Sequence, residues 1–498
     1  MRPFVLTIVA GAILAAGCTM IPEYKRPASP ISNMYPTDGV YATQQTRSAG
    51  DRSANERAAA DIGWREFFAD PRLRKLVEIA LINNRDLRVA VLNVDADRSQ
   101  YRVTRAAAFP AIDASGDANL QRTPTDLSVF GQTVSTDYTV GLNTSWEIDF
   151  WGRIRSLSGA ALAEYLATAQ ARKSVRIALV AQVADEYLTL LAYDDFLTVT
   201  KNTLSTARAS YELAKLQFDA GGGSELSVRE AQSVVEHALA NLEAQARAKA
   251  QAENALVLLI GGPLPDDLPR GLSLDAQALL ADVPAGLPSD LISRRPDIMA
   301  AEEQLIAANA DIGAARAAFL PRIALTGALG TASPTLGDLF KAGSGAWSFA
   351  PQVTLPIFEG GSNLANLERA KVLKQIQIAN YERTVQFAFR EVADGLAARG
   401  TYDKEIAALR CNQDAQQRRF ELAYTRYRSG ADSYLSVLTA QNDLYSSEQL
   451  LVATRLARWT SIVDLYRALG GGWIEHSGDK PLPADATMGD AQISSRAG

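Results

Sequence analysis

The chain has 498 residues and is poor in the residue types that build metal sites and catalytic centres. It contains two histidines, two cysteines and five methionines. His237 and His476 lie far apart, and no HExxH or CxxC pattern accompanies them, so no metal site is predicted. The five methionines form no cluster of soft ligands. Cys411 falls inside a helical pattern, where we expect it to be a small buried hydrophobic residue.

Other signatures of enzymes and of nucleic-acid binders are also missing. The formal net charge of −6 is not that of a nucleic-acid-binding protein, which usually carries a basic face. Three carboxylate pairs are adjacent in sequence, at 194–195, 266–267 and 302–303, but adjacent residues on a helix do not face each other. Three glycines at 221–223 lack the Lys-Ser/Thr ending of a phosphate loop. We therefore predict no catalytic residue, no cofactor and no energy source in this chain.

The first apolar run is too short to cross a bilayer as a helix. It covers residues 4–16, follows Arg2, and ends in Ala16-Gly17-Cys18. This is typical of a bacterial lipoprotein signal, so residues 1–17 are predicted to be cleaved and Cys18 to be lipidated. An ordinary secretion signal that happens to contain a cysteine is the alternative. Residues 18–62 are rich in Pro, Ser, Thr and Gly, which predicts an extended tether.

The rest of the chain repeats itself. The segment from Asp86 to Pro110 recurs from Asp297 to Pro321, an offset of 297 − 86 = 211. Further along, Val183-Ala184-Asp185 recurs at 392–394, an offset of 392 − 183 = 209. The sequence thus predicts one structural unit built twice, at about 63–287 and 288–472, followed by a flexible tail at 473–498.

Proline is absent from two long stretches, residues 131–262 and 357–480. Each stretch is interrupted by glycine, at Gly221-Gly222-Gly223 in the first and at Gly430 in the second. We predict long helices at about 153–220 and 361–429, each roughly 100 Å long at 1.5 Å per residue. Shorter return helices are predicted at about 225–260 and 434–469, so that each pair forms a helical hairpin.

Between the helical regions, apolar and polar residues alternate with a period of two, which is typical of strands. Four strands are predicted, at about 111–122, 134–150, 322–331 and 346–357, each long enough to cross a bilayer when tilted. Aromatic residues near the strand ends resemble the interfacial girdles of membrane barrels: Trp146, Phe150, Trp151, Trp347 and Phe349. A soluble, half-buried sheet is the alternative. Four strands cannot close a barrel, so several protomers must contribute; three would give twelve strands and two would give eight.

Several motifs together carry a family resemblance from Cys18 to Trp473. They are Tyr24-Lys25-Arg26-Pro27, Phe150-Trp151-Gly152-Arg153, Gly286-Leu287-Pro288-Ser289-Asp290-Leu291, Arg294-Arg295-Pro296-Asp297-Ile298, Gly313-Ala314-Ala315-Arg316-Ala317-Ala318-Phe319, Tyr427-Arg428-Ser429-Gly430 and Ala468-Leu469-Gly470-Gly471-Gly472-Trp473. With these motifs the chain resembles the TolC-type outer-membrane efflux channels, specifically their lipidated OprM-like branch.

The resemblance implies a mainly helical fold with membrane β-structure. Three protomers would build a twelve-stranded outer-membrane barrel, with four strands from each, continued by a periplasmic α-helical barrel. The implied partners are two further copies of the chain, a periplasmic adaptor (membrane fusion protein) and an inner-membrane proton-driven pump of the resistance-nodulation-division class. The implied location is the outer membrane, with a covalent lipid on Cys18.

The resemblance also places the functional residues at the hairpin turns. Leu435 matches a constriction leucine of relatives. Ser436 and Thr439 stand where relatives often carry aspartate, and Asn442 replaces a basic residue. We therefore expect closure by a Leu435 ring and helix packing, with weaker charge locking; ordinary helix packing is the alternative role of Leu435. The residues expected to contact the adaptor are Gly221, Ser224, Leu226, Ser227, Val228, Gly430, Ser433 and Ser436.

For cargo, drugs and amphiphiles are the expected class. Acidic residues on the polar strand faces predict a mild preference for cations: Asp113, Asp117, Asp137, Glu147 and Asp149. A type I protein-secretion channel would share the fold but usually lacks the lipid anchor. An envelope-spanning adhesive trimer would need longer exposed loops than those predicted at 123–133 and 331–346.

Overall fold

The structure is a computed structural model that describes residues 19–44, 58–124, 126, 134–279 and 288–479. Cys18, the predicted signal segment, part of the predicted tether and residues 480–498 of the predicted tail lie outside the described residues. The first residues of that tail, 473–479, are described and are held in place, since the N–H groups of Trp64 and Arg65 donate to the carbonyls of Ile474 and Glu475 at 3.1 and 3.3 Å. The helices and strands follow the chain in this order: α1 (Trp64–Phe67), α2 (Pro71–Asn83), α3 (Arg85–Ala106), β1 (Ala111–Arg122), β2 (Val134–Ile148), α4 (Arg153–Asp219), α5 (Glu225–Ile260), α6 (Pro288–Arg294), α7 (Pro296–Ala317), β3 (Arg322–Ser333), β4 (Gly345–Thr354), α8 (Ser362–Arg428) and α9 (Tyr434–Ala468).

The four strands form one antiparallel sheet in the order β1-β2-β3-β4. The register pairs Ala114 with Leu142, Leu142 with Leu329, and Leu329 with Trp347. Because side chains alternate along a strand, this register collects the apolar residues of all four strands on one face. The acidic and amide residues, such as Asp113 opposite Asn143, share the other face.

Both faces of this sheet are largely exposed in the single chain. The apolar face presents side chains such as Ile112, Leu120, Leu329 and Val353 to the surroundings. A contiguous apolar face of this size is not stable in water and matches the lipid-facing side of a membrane barrel. In the described chain, β1 and β4 each have a neighbour on one side only. Their free edges therefore need partners from other chains.

Two strands end earlier than the sequence pattern suggested. β4 ends at Thr354, three residues before the expected 357 (357 − 354 = 3). Pro356 follows, and it has no N–H to donate to a ladder, so Ile357 stands outside the strand and is exposed. β2 ends at Ile148 because Asp149 turns to accept hydrogen bonds from the N–H groups of Ile154 and Arg155, at 3.0 and 2.8 Å.

Each of the two longest helices, α4 and α8, contains 67 residues. At 1.5 Å per residue each extends about 100 Å. Two residues after the end of each helix stands a glycine in the left-handed region, Gly221 with φ 75° after α4 and Gly430 with φ 73° after α8. Side chains with a Cβ disfavour this conformation, so these two glycines stop the helices and start the turns to α5 and α9.

The chain divides into two compact units that do not coincide with the sequence repeats. The first unit combines residues 1–28, 93–169 and 300–382, and contains the sheet; the second combines 29–92, 170–299 and 383–498. Each unit therefore draws on both repeats. The long helices α4 and α8 contribute residues to both units.

The second unit has a core organised around a buried aspartate. One oxygen of Asp70 accepts hydrogen bonds from the N–H groups of Arg72 and Leu73, so it caps the start of α2. The other oxygen accepts from the Tyr187 hydroxyl at 3.0 Å, from Gln277 Nε2 at 2.8 Å and from the Leu272 N–H at 2.9 Å. These donors compensate the burial of the carboxylate and tie α2 to α4 and to the segment after α5.

The sequence expectation for Cys411 is also wrong. Cys411 is exposed on α8 rather than buried. Its neighbours in sequence, Arg410 and Asn412, are exposed as well, so this stretch of α8 lacks the apolar periodicity that would turn one face inward.

Within the described residues, no group of three or more His, Cys, Asp or Glu side chains could hold a metal ion. No helix of the described chain has both the length and the apolarity that crossing a membrane requires.

Candidate functional site

The first candidate site is the turn between α4 and α5. The N–H groups of Gly222 and Gly223 both donate to the Gln217 carbonyl at 2.9 Å, which closes the end of α4. Ser224 then caps α5, because its hydroxyl accepts from the Ser227 N–H at 3.2 Å. Gly221 and Ser224 are exposed, as is Leu226 with 67% of its surface accessible, whereas Ser227 and Val228 are half-buried.

The turn between α8 and α9 follows the same path with different side chains. Gly430 N–H donates to the Tyr427 carbonyl at 3.0 Å. Ser433 stands at the cap of α9, but its side chain makes no capping bond. Instead, Asp432 accepts from the Ser433 N–H at 2.8 Å and from the Ser436 hydroxyl at 3.0 Å. These bonds, the backbone one first, hold the pKa of the Asp432 carboxyl below its usual range, so its charge is retained.

The two turns are joined by a small apolar core. Its buried members are Ala214 and Ala231 of the first hairpin and Tyr427, Tyr434 and Val437 of the second. The rings of Tyr427 and Tyr434 meet edge to face, with centroids 5.4 Å apart. This packing breaks the equivalence of the repeats: Tyr434 is buried, whereas Glu225, its counterpart at an offset of 209 (434 − 225), is exposed.

The three predicted constriction residues lie on one face of α9. Leu435, Thr439 and Asn442 are spaced four and three residues apart, and all three are exposed. Leu435 has 57% of its surface accessible, while Val437, Ala440 and Gln441 on other sides of the helix are buried. In the single chain Leu435 therefore does not pack inside a hairpin core, and it is free to meet another surface.

Two ion pairs near these residues were not predicted from the sequence. Arg419 Nη1 lies 2.5 Å from Asp443 Oδ2 and links α8 to α9 beside Asn442. Arg426 Nε lies 3.3 Å from Asp432 Oδ2 and spans the turn itself. Arg419 and Asp443 are 24 residues apart (443 − 419), so no local spacing pattern could have revealed the pair. Only the hairpin geometry brings them together.

The predicted girdle residues lie on the sheet and at its junction with the helices. The Trp146 indole N–H donates to the Ala108 carbonyl, and that of Trp151 donates to the Pro321 carbonyl, both at 3.0 Å. The register places Trp347 opposite Leu329 and Trp146 opposite Leu325, so four ladder steps (329 − 325) separate the two tryptophans. Phe349 lies two steps from Trp347 on the same face. The aromatic residues therefore sit at staggered depths.

The polar face of the sheet ends in a charged cluster where β2 leads into α4. Glu147 accepts two hydrogen bonds from Arg153, each of 2.9 Å. Glu147 also pairs with Arg322 of β3, whose Nη2 lies 2.6 Å from Oε2. Two of the five acidic residues expected to favour cations, Glu147 and Asp149, are thus already paired with arginines.

The predicted lipidation site, Cys18, lies outside the described residues, but the segment after it is described. The Asn309 amide donates to the Pro22 carbonyl at 2.8 Å. Arg26 makes a two-pronged contact with Glu302, with distances of 2.7 and 2.8 Å, and the Tyr24 hydroxyl donates to the same carboxylate at 3.1 Å. The Tyr24-Lys25-Arg26-Pro27 motif is therefore fixed along α7, within the unit that contains the sheet.

Comparisons with known proteins agree with this geometry. The sequence profile of the outer membrane efflux protein family matches twice, at residues 76–262 and 287–471, in line with the internal duplication. The toluene efflux pump outer membrane protein TtgC of Pseudomonas putida is 46% identical over 480 residues, covering 96% of this chain and 97% of TtgC. The antibiotic efflux pump outer membrane protein ArpC of Pseudomonas putida has the same identity and coverage.

A solved structure shows a similar fold. The open state of the MtrE outer membrane channel of Neisseria gonorrhoeae is 40% identical, with a TM-score of 0.80. The similarity covers 93% of this chain and 100% of that structure's chain. The fold class predicted from the sequence, a mainly helical chain with a four-stranded membrane sheet, is confirmed.

Proposed function

Because this chain belongs to the outer membrane efflux protein family and is an outer-membrane efflux channel, we propose that it is the exit duct of a three-part pump. Three copies form the duct, a periplasmic adaptor contacts its helical hairpins, and an inner-membrane proton-driven pump supplies the cargo. The duct is passive, so it is not an enzyme. The observation that carries this proposal is the amphipathic four-stranded sheet with two free edges in the described chain.

Closure of the sheet requires more than one copy, and the number three is the one that the family resemblance implies. Four strands leave two edges without hydrogen-bond partners, which lipid cannot supply. Pairing β4 of one protomer with β1 of the next closes the sheet, and three protomers give twelve strands. The exposed apolar face then contacts lipid, and the polar face lines the duct.

The hairpin turns supply the gate and the adaptor surface. Leu435, Thr439 and Asn442 form an exposed stripe on α9, which in three copies constricts the duct. The exposed turn residues Gly221, Ser224, Leu226, Gly430 and Ser433, with the half-buried Ser227, Val228 and Ser436, form the adaptor surface. Arg419–Asp443 and Arg426–Asp432 add charge pairing within each protomer's second hairpin, beyond the packing expected from the sequence alone.

For cargo we propose toluene and antibiotics, the compounds named for TtgC and ArpC. The anchor is a lipid on Cys18. The fixed segment from residue 20 to residue 26 supports this placement, because it holds the chain just after Cys18 against the unit that contains the membrane sheet. The aromatic residues Trp146, Phe150, Trp347 and Phe349 anchor the barrel in the bilayer interfaces.

The test is deletion of the gene followed by measurement of minimum inhibitory concentrations for chemically varied drugs and for toluene. The deletion strain is complemented with the wild type and with Cys18→Ser. Hypersensitivity that the wild type restores supports the proposal, and the Cys18→Ser strain measures how far the lipid matters. Unchanged sensitivity, with loss of a secreted protein instead, would favour a type I secretion channel.

A further inference from the structure

A cavity of about 440 Å³ lies at the base of the sheet, next to the start of α4. Its wall combines the apolar surfaces of Trp151, Leu320 and Pro321 with the polar groups of Glu147, Arg322 and Gln352. All of these residues belong to the compact unit that contains the sheet. The cavity has the size and the mixed lining of a site for one small amphiphilic molecule.

The carboxylates of this cavity are already occupied. Glu147 receives two hydrogen bonds from Arg153 and one ion pair from Arg322, and only 13% of its side chain is exposed. Asp149 accepts two backbone N–H groups and pairs with Arg155, and it is equally buried. Neither carboxylate therefore presents free negative charge to the cavity.

The cavity's most exposed charge is positive. Arg322 keeps 64% of its side chain exposed, and its contact with Glu147 uses one terminal nitrogen of the guanidinium. A guanidinium has five N–H donors in a planar fork, so Arg322 retains donors for an oxyanion. The sheet register places Arg322 opposite Thr354 and, two positions on, Ala324 opposite Gln352, which is the polar face.

We propose that this cavity is a subsite for amphiphilic organic anions: the carboxylate or sulfonate binds Arg322, and the apolar body lies against Trp151 and Leu320. The proposal rests on the proposed function, because it requires the polar face of the sheet to line the duct. Arg322 then binds anions at the end of the barrel that adjoins the start of α4. Asp113 and Asp137 on the same face, which have no ion pair within the described chain, remain as groups that favour cations.

Two substitutions change this site in opposite directions. Arg322→Gln removes the exposed positive charge, yet leaves Glu147 with its two bonds from Arg153, so no buried carboxylate loses all its partners. Glu147→Gln removes the negative charge that pairs with Arg322. The N–H donors of Arg322 are then free for a ligand. Lys341→Gln is the matched control, because it removes one positive charge from the loop between β3 and β4, outside the cavity lining.

The experiment records channel conductance in planar bilayers while 2-naphthalenesulfonate is added to the side of the barrel mouth. We expect the probe to block the wild type. Arg322→Gln should weaken the block about three- to ten-fold, the effect of losing one partly exposed charge-assisted contact. Glu147→Gln should strengthen the block, and Lys341→Gln should leave it unchanged. Trimer integrity on native gels confirms that each variant is assembled.

A conducting wild type that the probe does not block would overturn the subsite and leave the duct intact. The subsite is also overturned if both substitutions move the block in one direction, because a general structural disturbance would do that. A purified wild type that forms no conducting channel would overturn the proposed function, and this subsite with it.

Discussion

The hydroxyl of Tyr427 donates a hydrogen bond to Oε1 of Gln217, 2.5 Å away. This bond joins the last turn of α8 to the last turn of α4, and so links the two hairpins just before they reverse. The Tyr427 ring is buried in the small core that the hairpins share, where it packs against Tyr434. In the proposed duct, this contact holds the two hairpins of one protomer in a fixed relation.

Tyr427→Phe should weaken the contact between the two hairpins, because it removes the hydroxyl and keeps the ring. Loss of one hydrogen bond between partly buried groups costs about 1 kcal/mol. We expect higher conductance of the closed channel in bilayers, with a small fall in the thermal unfolding midpoint. Tyr424→Phe is the control. Tyr424 packs against the same core, but within the described residues its hydroxyl makes no hydrogen bond. Equal conductance changes in both variants would contradict the assignment.

Leu435→Ala and Leu226→Ala test the gate against its repeat counterpart. Both leucines are exposed at matching positions, 209 residues apart (435 − 226). Leu435→Ala should raise the closed-state conductance, because it widens the proposed ring. Leu226→Ala should leave conductance unchanged and reduce drug resistance in cells, because it alters the proposed adaptor surface. A Leu435→Ala channel with wild-type conductance would rule out the ring.

Arg419→Gln should have a smaller effect than Leu435→Ala. The Arg419–Asp443 pair is about half exposed, and such pairs contribute less than about 1 kcal/mol. We expect the closed-state conductance of Arg419→Gln to rise modestly at low salt and to match the wild type at high salt, where screening already weakens the pair. A salt-independent increase would show that packing, rather than charge, is what Arg419 contributes.

Asp185→Asn should make the protein less sensitive to pH. Burial, together with the nearby carboxylates of Asp464 and Glu186, raises the pKa of the Asp185 carboxyl to about 7, although Arg467 lowers it. In the unfolded chain an aspartate titrates near pH 4, so the folded state binds the proton more tightly between pH 4 and 7. The contribution of Asp185 to the free energy of unfolding is therefore greatest below pH 4 and is lost as pH rises through 7, by an amount on the order of 3–4 kcal/mol.

The measurement is the thermal unfolding midpoint of purified protein between pH 4 and pH 8. Asp185→Asn should flatten the pH profile and raise the midpoint at pH 8. Asp394→Asn is the matched control, because Asp394 occupies the equivalent position of the second repeat and is exposed. An unchanged profile in Asp185→Asn would show that another group titrates.

Glu302→Gln should release the segment after the proposed lipidation site. The substitution weakens the two-pronged contact with Arg26 and the bond from Tyr24. We expect faster tryptic cleavage after Lys25, with the body of the protein intact. Glu303→Gln, at the neighbouring position, should be cleaved at the wild-type rate. Equal cleavage in all three proteins would mean that Glu302 does not hold the segment.

Much of the fold was accessible from the sequence because it depends on local periodicity. A two-residue alternation marks strands, and the absence of proline marks long helices, so β1 was placed at 111–122 and α5 at 225–260, where the structure has them. Chain reversal at Gly221 and Gly430 also followed from local chemistry, since glycine readily adopts positive φ. The end of β4 depends on Pro356, which the two-residue alternation does not reveal, so the predicted strand was too long.

The sequence by itself determined the repeat, the helices, the strands and the family, because these follow from short-range patterns and from matches along the chain. Only the tertiary structure decided which distant side chains meet. Arg322 reaches Glu147 across the sheet, Tyr427 reaches Gln217 between hairpins, and Asp70 collects donors from α4 and the segment after α5. These contacts depend on register and on packing between elements, which no spacing along the chain encodes.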